Sequence, residues 1–256
     1  MLFNKQYFPN FFQSVFLCLL LIFFSVLVSF FLSGIIDSNN SVLMIWMNIP
    51  IFLVVFIIGS LWSGKSVDFF IKNEKVQNRF YIPIIFSSIG AIILIGELTN
   101  LLFYFYPIPE NIINEFKFIL SNKWGVIAAI CVAAITEEFL FRGMILVGLN
   151  KNYNEKISIA LSSLLFGLIH VIPWQVVPAF FAGLFLGWIY LRFKSIILCI
   201  FIHALNNALA AIPEYYNFEI PGMVYDINKG VQFQPVWINI IGLIMFLYGV
   251  KKINNL

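Results

Sequence analysis

Eight stretches of the chain stay apolar for about the length that carries a helix across a bilayer, roughly 20 residues. They are residues 11–33, 44–62, 81–106, 124–149, 156–173, 176–193, 195–212 and 236–250. Within them the apolar positions run on without the strict alternation of a half-buried strand, which predicts helices. The fifth to eighth are short or divided by tight turns at Pro173 and Lys194. The polar segments between stretches are brief; the largest are the basic 63–80, 107–123, and 213–235, which carries Glu214, Glu219 and Asp226. None has room for a separate soluble domain. The pattern predicts an all-α polytopic membrane helical bundle of about eight transmembrane helices, with residues 1–256 as a single integral membrane domain.

Composition removes the soluble alternatives. The chain is 61% hydrophobic and 11% charged, against roughly 45–50% and about 25% for a soluble domain. The net charge of +3 is too small for a nucleic-acid footprint, so no nucleic-acid partner is expected; the lipid bilayer is. Cys18, Cys131 and Cys199 lie in apolar runs without the paired spacing of a zinc or disulfide framework, and read as buried small hydrophobes. The first stretch, behind Lys5, is longer than a signal-peptide core and reads as a retained helix.

Cationic residues set direction, because cytoplasmic loops carry the excess of positive charge. With the N-terminus inside, the cytoplasmic segments hold Lys5, Lys65, Lys72, Lys75, Arg79, Lys151, Lys156, Arg192, Lys194, Lys251 and Lys252. The outer segments hold only Lys117, Lys123 and Lys229. Both termini are therefore expected in the cytoplasm.

A charge at mid-membrane costs roughly 2.5–3.5 kcal/mol even on the lenient insertion scale, so ionisable residues inside spans mark function. Here they are Glu97, Glu137, Glu138, Arg142, His170 and His203, and the last two are the chain's only histidines. Glu138 and Arg142 stand four apart, acid first, the favourable order for an ion pair on one helix face. Glu137 is turned about 100° from Glu138, free to point into a cavity and act as a general base. His203 and Asn207 share a helix face, with Asn206 as the nearby alternative; such donors can stabilise an oxyanion or bridge helices. At about 1.5 Å per residue from the cytoplasmic ends, Glu137 lies roughly 18 Å deep, His170 roughly 21 Å and His203 roughly 12 Å, near enough for one layer. Gly183 and Gly187 form a Gly-x-x-x-Gly face for close helix approach.

Glu137-Glu138-x-x-x-Arg142, Phe166-x-x-x-His170 and His203-x-x-x-Asn207, in that order on separate helices, resemble the motif set of the CPBP family of intramembrane proteases. That family includes the eukaryotic CAAX prenyl endopeptidase and bacterial Abi-type proteins linked to bacteriocin immunity. Phe141-Arg142-Gly143 and Phe166-Gly167 extend the likeness, which covers a CPBP-like catalytic core at about residues 124–212. The resemblance implies an intramembrane endopeptidase acting on a membrane-associated protein or peptide. Glu137 and His170 would hold and activate a water, His203 and Asn207 would stabilise the oxyanion, and Glu138 with Arg142 would support the site. A metal-free mechanism is favoured; zinc, if required, would need Glu137, His170 and His203 from three helices. A non-catalytic scaffold or self-immunity protein of the same fold, or an ion-coupled transporter, remain the alternatives. Short loops and the lack of a eukaryotic sorting signal point to a bacterial plasma membrane.

Overall fold

Apolar runs of this length become helices because in lipid every backbone N–H and C=O must be satisfied within its own segment. The computed structural model describes residues 7–33, 41–218, 220, 222 and 230–255. Of the residues named above, Lys5, Glu219, Asp226 and Lys229 lie outside the described residues. The helices are α1 (Phe11–Ser33), α2 (Ser41–Trp46), α3 (Asn48–Ser63), α4 (Val67–Phe70), α5 (Tyr81–Phe105) and α6 (Glu110–Leu120). Then α7 (Lys123–Ile127), a π-helical turn (Ala128–Val132), α8 (Ala133–Glu138), a second π-helical stretch (Phe139–Leu146) and α9 (Val147–Asn152) follow end to end. Beyond them lie α10 (Glu155–Leu168), α11 (Pro173–Phe193), α12 (Ile196–Tyr216) and α13 (Val236–Asn255).

Among the described residues seven helical segments are long and apolar enough to cross a membrane, where eight were expected. The correction falls on the fifth stretch. α10 has 14 residues, about 21 Å of helix against a hydrocarbon core of about 30 Å. It stops because the chain unwinds before Pro173, whose ring disfavours helical backbone in the residue ahead of it. There Val171 takes φ 60°, a left-handed conformation that strains a β-branched side chain. α10 still returns the chain, packing against α11. Gly183 of α11 lies against Ser163, where an added Cβ would come within 3.0 Å of its backbone, and Gly187 lies against Ile159. The Gly-x-x-x-Gly face therefore serves the close approach expected of it.

Contacts gather the basic segments at one end of the bundle. Lys151 lies over the rings of Tyr7 and Phe69, Tyr7 N–H donates to Asn152 Oδ1, and Glu74 N–H donates to the Lys194 carbonyl. Ser195 Oγ donates to Asn73 Oδ1 at 2.8 Å, and Arg192 Nη2 reaches the Ile253 carbonyl at 3.0 Å. Burial holds the Lys194 ammonium pKa below its ordinary value; Glu155 and Glu74 oppose the shift and Lys72 reinforces it. At the other end Trp46 Nε1 donates to the Trp124 carbonyl and Trp174 Nε1 to the Tyr106 carbonyl, an interfacial use of tryptophan.

The interior holds two apolar clusters. One joins Leu17, Phe56, Phe70, Phe141 and Met144; the other joins Ile84, Leu146, Ile189, Tyr190 and Ile253. Large side chains such as Phe12 (79% exposed) and Leu61 (77% exposed) point outward, a surface that suits lipid and not water. Cys18 and Cys199 are buried as expected, but Cys131 is exposed. In an apolar span a small hydrophobe escapes water against lipid as readily as against protein, so the sequence pattern does not separate the two cases.

The clustering of cationic segments yields a test of topology. With Cys131 replaced by serine, cysteines placed at Gln77 and at Asn154 should label from the cytoplasmic side and one at Glu110 from the opposite side. Labelling of the Glu110 and Gln77 positions from the same face would overturn the arrangement.

Candidate functional site

The segment that carries the glutamates is one continuous helix of 30 residues, Lys123–Asn152, interrupted by π-helical turns on both sides of α8. Such turns insert a residue and re-aim the side chains that follow, and they recur at functional sites. Glu137 and Glu138 close α8 between the two.

Glu138 is fully buried and Arg142 is 1% exposed; Arg142 Nη1 donates to Glu138 Oε1 at 2.8 Å, the ion pair expected from the spacing. Arg142 Nη2 also reaches the Gly183 carbonyl at 3.4 Å, and its guanidinium carbon lies 4.5 Å from the Phe166 ring centroid. The same Glu138 Oε1 is 2.9 Å from His203 Nδ1. A carboxylate paired with arginine only accepts, so Nδ1 of His203 carries a proton and donates to Glu138; in that tautomer of the neutral ring Nε2 is the acceptor.

That Nε2 faces Glu137, whose Oε2 lies 3.8 Å away. Glu137 is 14% exposed, in contrast to its fully buried neighbour. Its Oε2 is buried and has no hydrogen-bond partner, as is true of Glu138 Oε2 and Arg142 Nε. His203 therefore stands between two consecutive carboxylates, bonded to one and turned toward the other.

His170 ends the turn after α10. Its Nδ1 is 2.8 Å from the Phe166 carbonyl; because a carbonyl only accepts, Nδ1 carries the proton and Nε2 again accepts. The Phe166 ring meets both imidazoles edge-on, with centroids 5.1 Å from His170 and 5.9 Å from His203. The three depths worked out from sequence thus converge on one layer.

A cavity of about 350 Å³ opens on this layer, lined by His170, His203, Asn206 and Asn207, with Thr99 and Asn100 across from them on α5. Glu137 is not part of the lining but adjoins it, with its Oε2 3.8 Å from Nε2 of His203. Asn207 Nδ2 donates to the Ala129 carbonyl in the first π-helical turn at 2.9 Å, and Asn206 Nδ2 donates to Asn207 Oδ1 at 3.3 Å. Each amide nitrogen keeps a second N–H.

The contribution of α5 was missed in the sequence, although Glu97, Thr99 and Asn100 form a polar cluster in an otherwise apolar span and could have signalled it. Glu97 itself is a clamp. Its Oε2 accepts from Asn100 Nδ2 at 3.1 Å and from Gln234 N–H at 2.9 Å. Among the described residues no three His, Cys, Asp or Glu side chains converge as metal ligands.

Comparison with known proteins places this geometry in context. Residues 119–209 match the family model described as Type II CAAX prenyl endopeptidase Rce1-like. No curated protein and no solved structure gave a match. The matched segment contains Glu137, Glu138, Arg142, His170, His203 and Asn207 together. This segment is similar to the CAAX-type proteases, and it lies within a bundle of helices long and apolar enough to span a membrane.

Proposed function

We propose that the chain is an intramembrane endopeptidase that hydrolyses a peptide bond of a membrane-associated protein or peptide, with Glu137 as general base. The observation that carries this reading is the array Glu138–His203–Glu137, with 2.9 Å on one side of the imidazole and 3.8 Å on the other. Two acceptors, Glu137 Oε2 and His203 Nε2, face each other without a proton between them. A water donating one hydrogen to each satisfies both, and its oxygen lone pair is then free for attack.

In the proposed reaction the water oxygen bonds to the scissile carbonyl carbon held in the cavity while its proton passes to Glu137. The oxyanion takes the second N–H groups of Asn207 and Asn206, because the Nδ1 proton of His203 is committed to Glu138. Asn206 thereby takes the place that the sequence pattern assigned to His203. His170, with its acceptor nitrogen on the cavity wall, receives the N–H of the substrate backbone and fixes its register. As the C–N bond breaks, Glu137 returns its proton to the leaving nitrogen, giving a carboxylic acid and an amine. Glu138 and Arg142 hold His203 and touch no reacting atom. The mechanism needs no metal, and we place the enzyme in a bacterial plasma membrane with its basic end in the cytoplasm.

Replacement of the two glutamates should separate their roles. Glu137→Gln keeps the shape and should leave a protein that melts like wild type but cleaves a membrane-anchored reporter peptide at least about 10²-fold more slowly. Glu138→Gln strands Arg142 in the interior and should lower stability by about 3–5 kcal/mol, read as a fall in melting temperature. An equal loss of stability in both variants would refute the division.

Asn207→Ala should reduce kcat by about 10²–10³ with KM nearly unchanged, as for loss of an oxyanion donor. Cleavage by the purified enzyme should continue in the presence of a chelator. Stoichiometric zinc in the wild type, lost on His203→Ala, would replace the water-bridged mechanism with a metal-dependent one.

A further inference from the structure

A second cavity, of about 480 Å³, lies between the first turns of α5 and α12 and is separate from the site above. Both helices pack on α11 and leave a cleft between themselves. Its walls are apolar, with Ile85, Phe201 and Leu205 among them. Ile85 and Phe201 are 49% and 63% exposed within spans that face lipid, so the cleft opens sideways to the bilayer. Its deep end is Ile202, which also lines the candidate site and forms the partition between the two.

The mouth has a different chemistry. Glu74 and Lys75, adjacent in sequence and both exposed, line it at the basic end of the bundle, and neither has an ion-pair partner among the described residues. Deeper in, Ser88 is 2% exposed and its Oγ is buried without a hydrogen-bond partner. Ser88 lies about 10 Å along the helix axis from Tyr81 at the rim. A buried hydroxyl is seldom left unpaired unless something outside the protein meets it.

We propose that this cleft is a binding site for one zwitterionic phospholipid of the phosphatidylethanolamine type. Lys75 receives the phosphate and Glu74 the ammonium of the headgroup. Ser88 donates to a glycerol-ester carbonyl below them, and an acyl chain lies along Ile85, Phe201 and Leu205 and ends at Ile202. The adjacent opposite charges select this headgroup over an anionic one, for which Glu74 would be repulsive. The proposal stands apart from the protease reading, because none of these side chains takes part in the reaction described above.

The test is native mass spectrometry of the purified full chain, released from micelles that contain equal amounts of dioleoyl-phosphatidylethanolamine and dioleoyl-phosphatidylglycerol. One phosphatidylethanolamine should be retained per chain in preference to phosphatidylglycerol, and equally well by Glu137→Gln. Ile85→Trp and Leu205→Trp fill the cleft from opposite helices, and each should cut retention by at least about tenfold. Lys75→Gln and Glu74→Gln, at exposed positions that do not bear on folding, should each weaken retention on the order of tenfold, as expected for loss of a charged hydrogen-bond partner. Retention undiminished in folded tryptophan variants would overturn the site. Equal retention of the two lipids, or no effect of the mouth variants, would overturn the assignment of the headgroup.

Discussion

The arrangement depends on placing Arg142 and Glu138 one helical turn apart where no water can reach them. Each charge alone would cost several kcal/mol in that position. Paired at 2.8 Å they still leave lone pairs and N–H groups to satisfy, and three other helices supply partners to the pair, although Glu138 Oε2 and Arg142 Nε stay without one. α12 sends His203 to Glu138, α11 offers the Gly183 carbonyl to Arg142, and α10 places the Phe166 face over the guanidinium. Such a cation–π contact contributes about 2 kcal/mol when desolvated. The pair thereby sets the mutual position of the helices that carry His170, His203 and Asn207. A weaker polar contact could be exchanged for packing; an unpaired guanidinium in this interior could not.

What the sequence reveals follows the range of the interaction involved. The spans are legible because bilayer thickness dictates their length, and the gathering of the basic segments at one end because lysine and arginine recur in alternate connections. The Glu138–Arg142 pair is legible because both residues lie on one helix. α10 was read as too long because Ile169, Val171 and Ile172 are as apolar as the helix before them; what stops it is the backbone restriction ahead of Pro173 and the positive φ at Val171. Partnerships across helices leave no periodic trace. The bond from His203 to Glu138, the tie from Asn207 to the Ala129 carbonyl and the face that α5 gives to the cavity emerged only from packing. Glu97 shows the intermediate case: its presence in an apolar span announces a polar partner, but not that the partner is the backbone of Gln234.

The order Glu137-Glu138 also has a geometric reason. The two nitrogens of an imidazole point in divergent directions, so a group that holds Nδ1 determines where Nε2 is aimed. Consecutive residues on a helix diverge by about 100°, which lets two neighbouring carboxylates stand on different sides of one ring. One is immobilised by arginine and serves as the anchor; the other is 14% exposed and keeps an unpaired oxygen. Had the free carboxylate been four residues from the anchored one, both would share a face and Arg142 would serve either. Adjacency therefore separates an anchored acid from a more exposed one within a single turn, and π-helical stretches bound that turn on both sides.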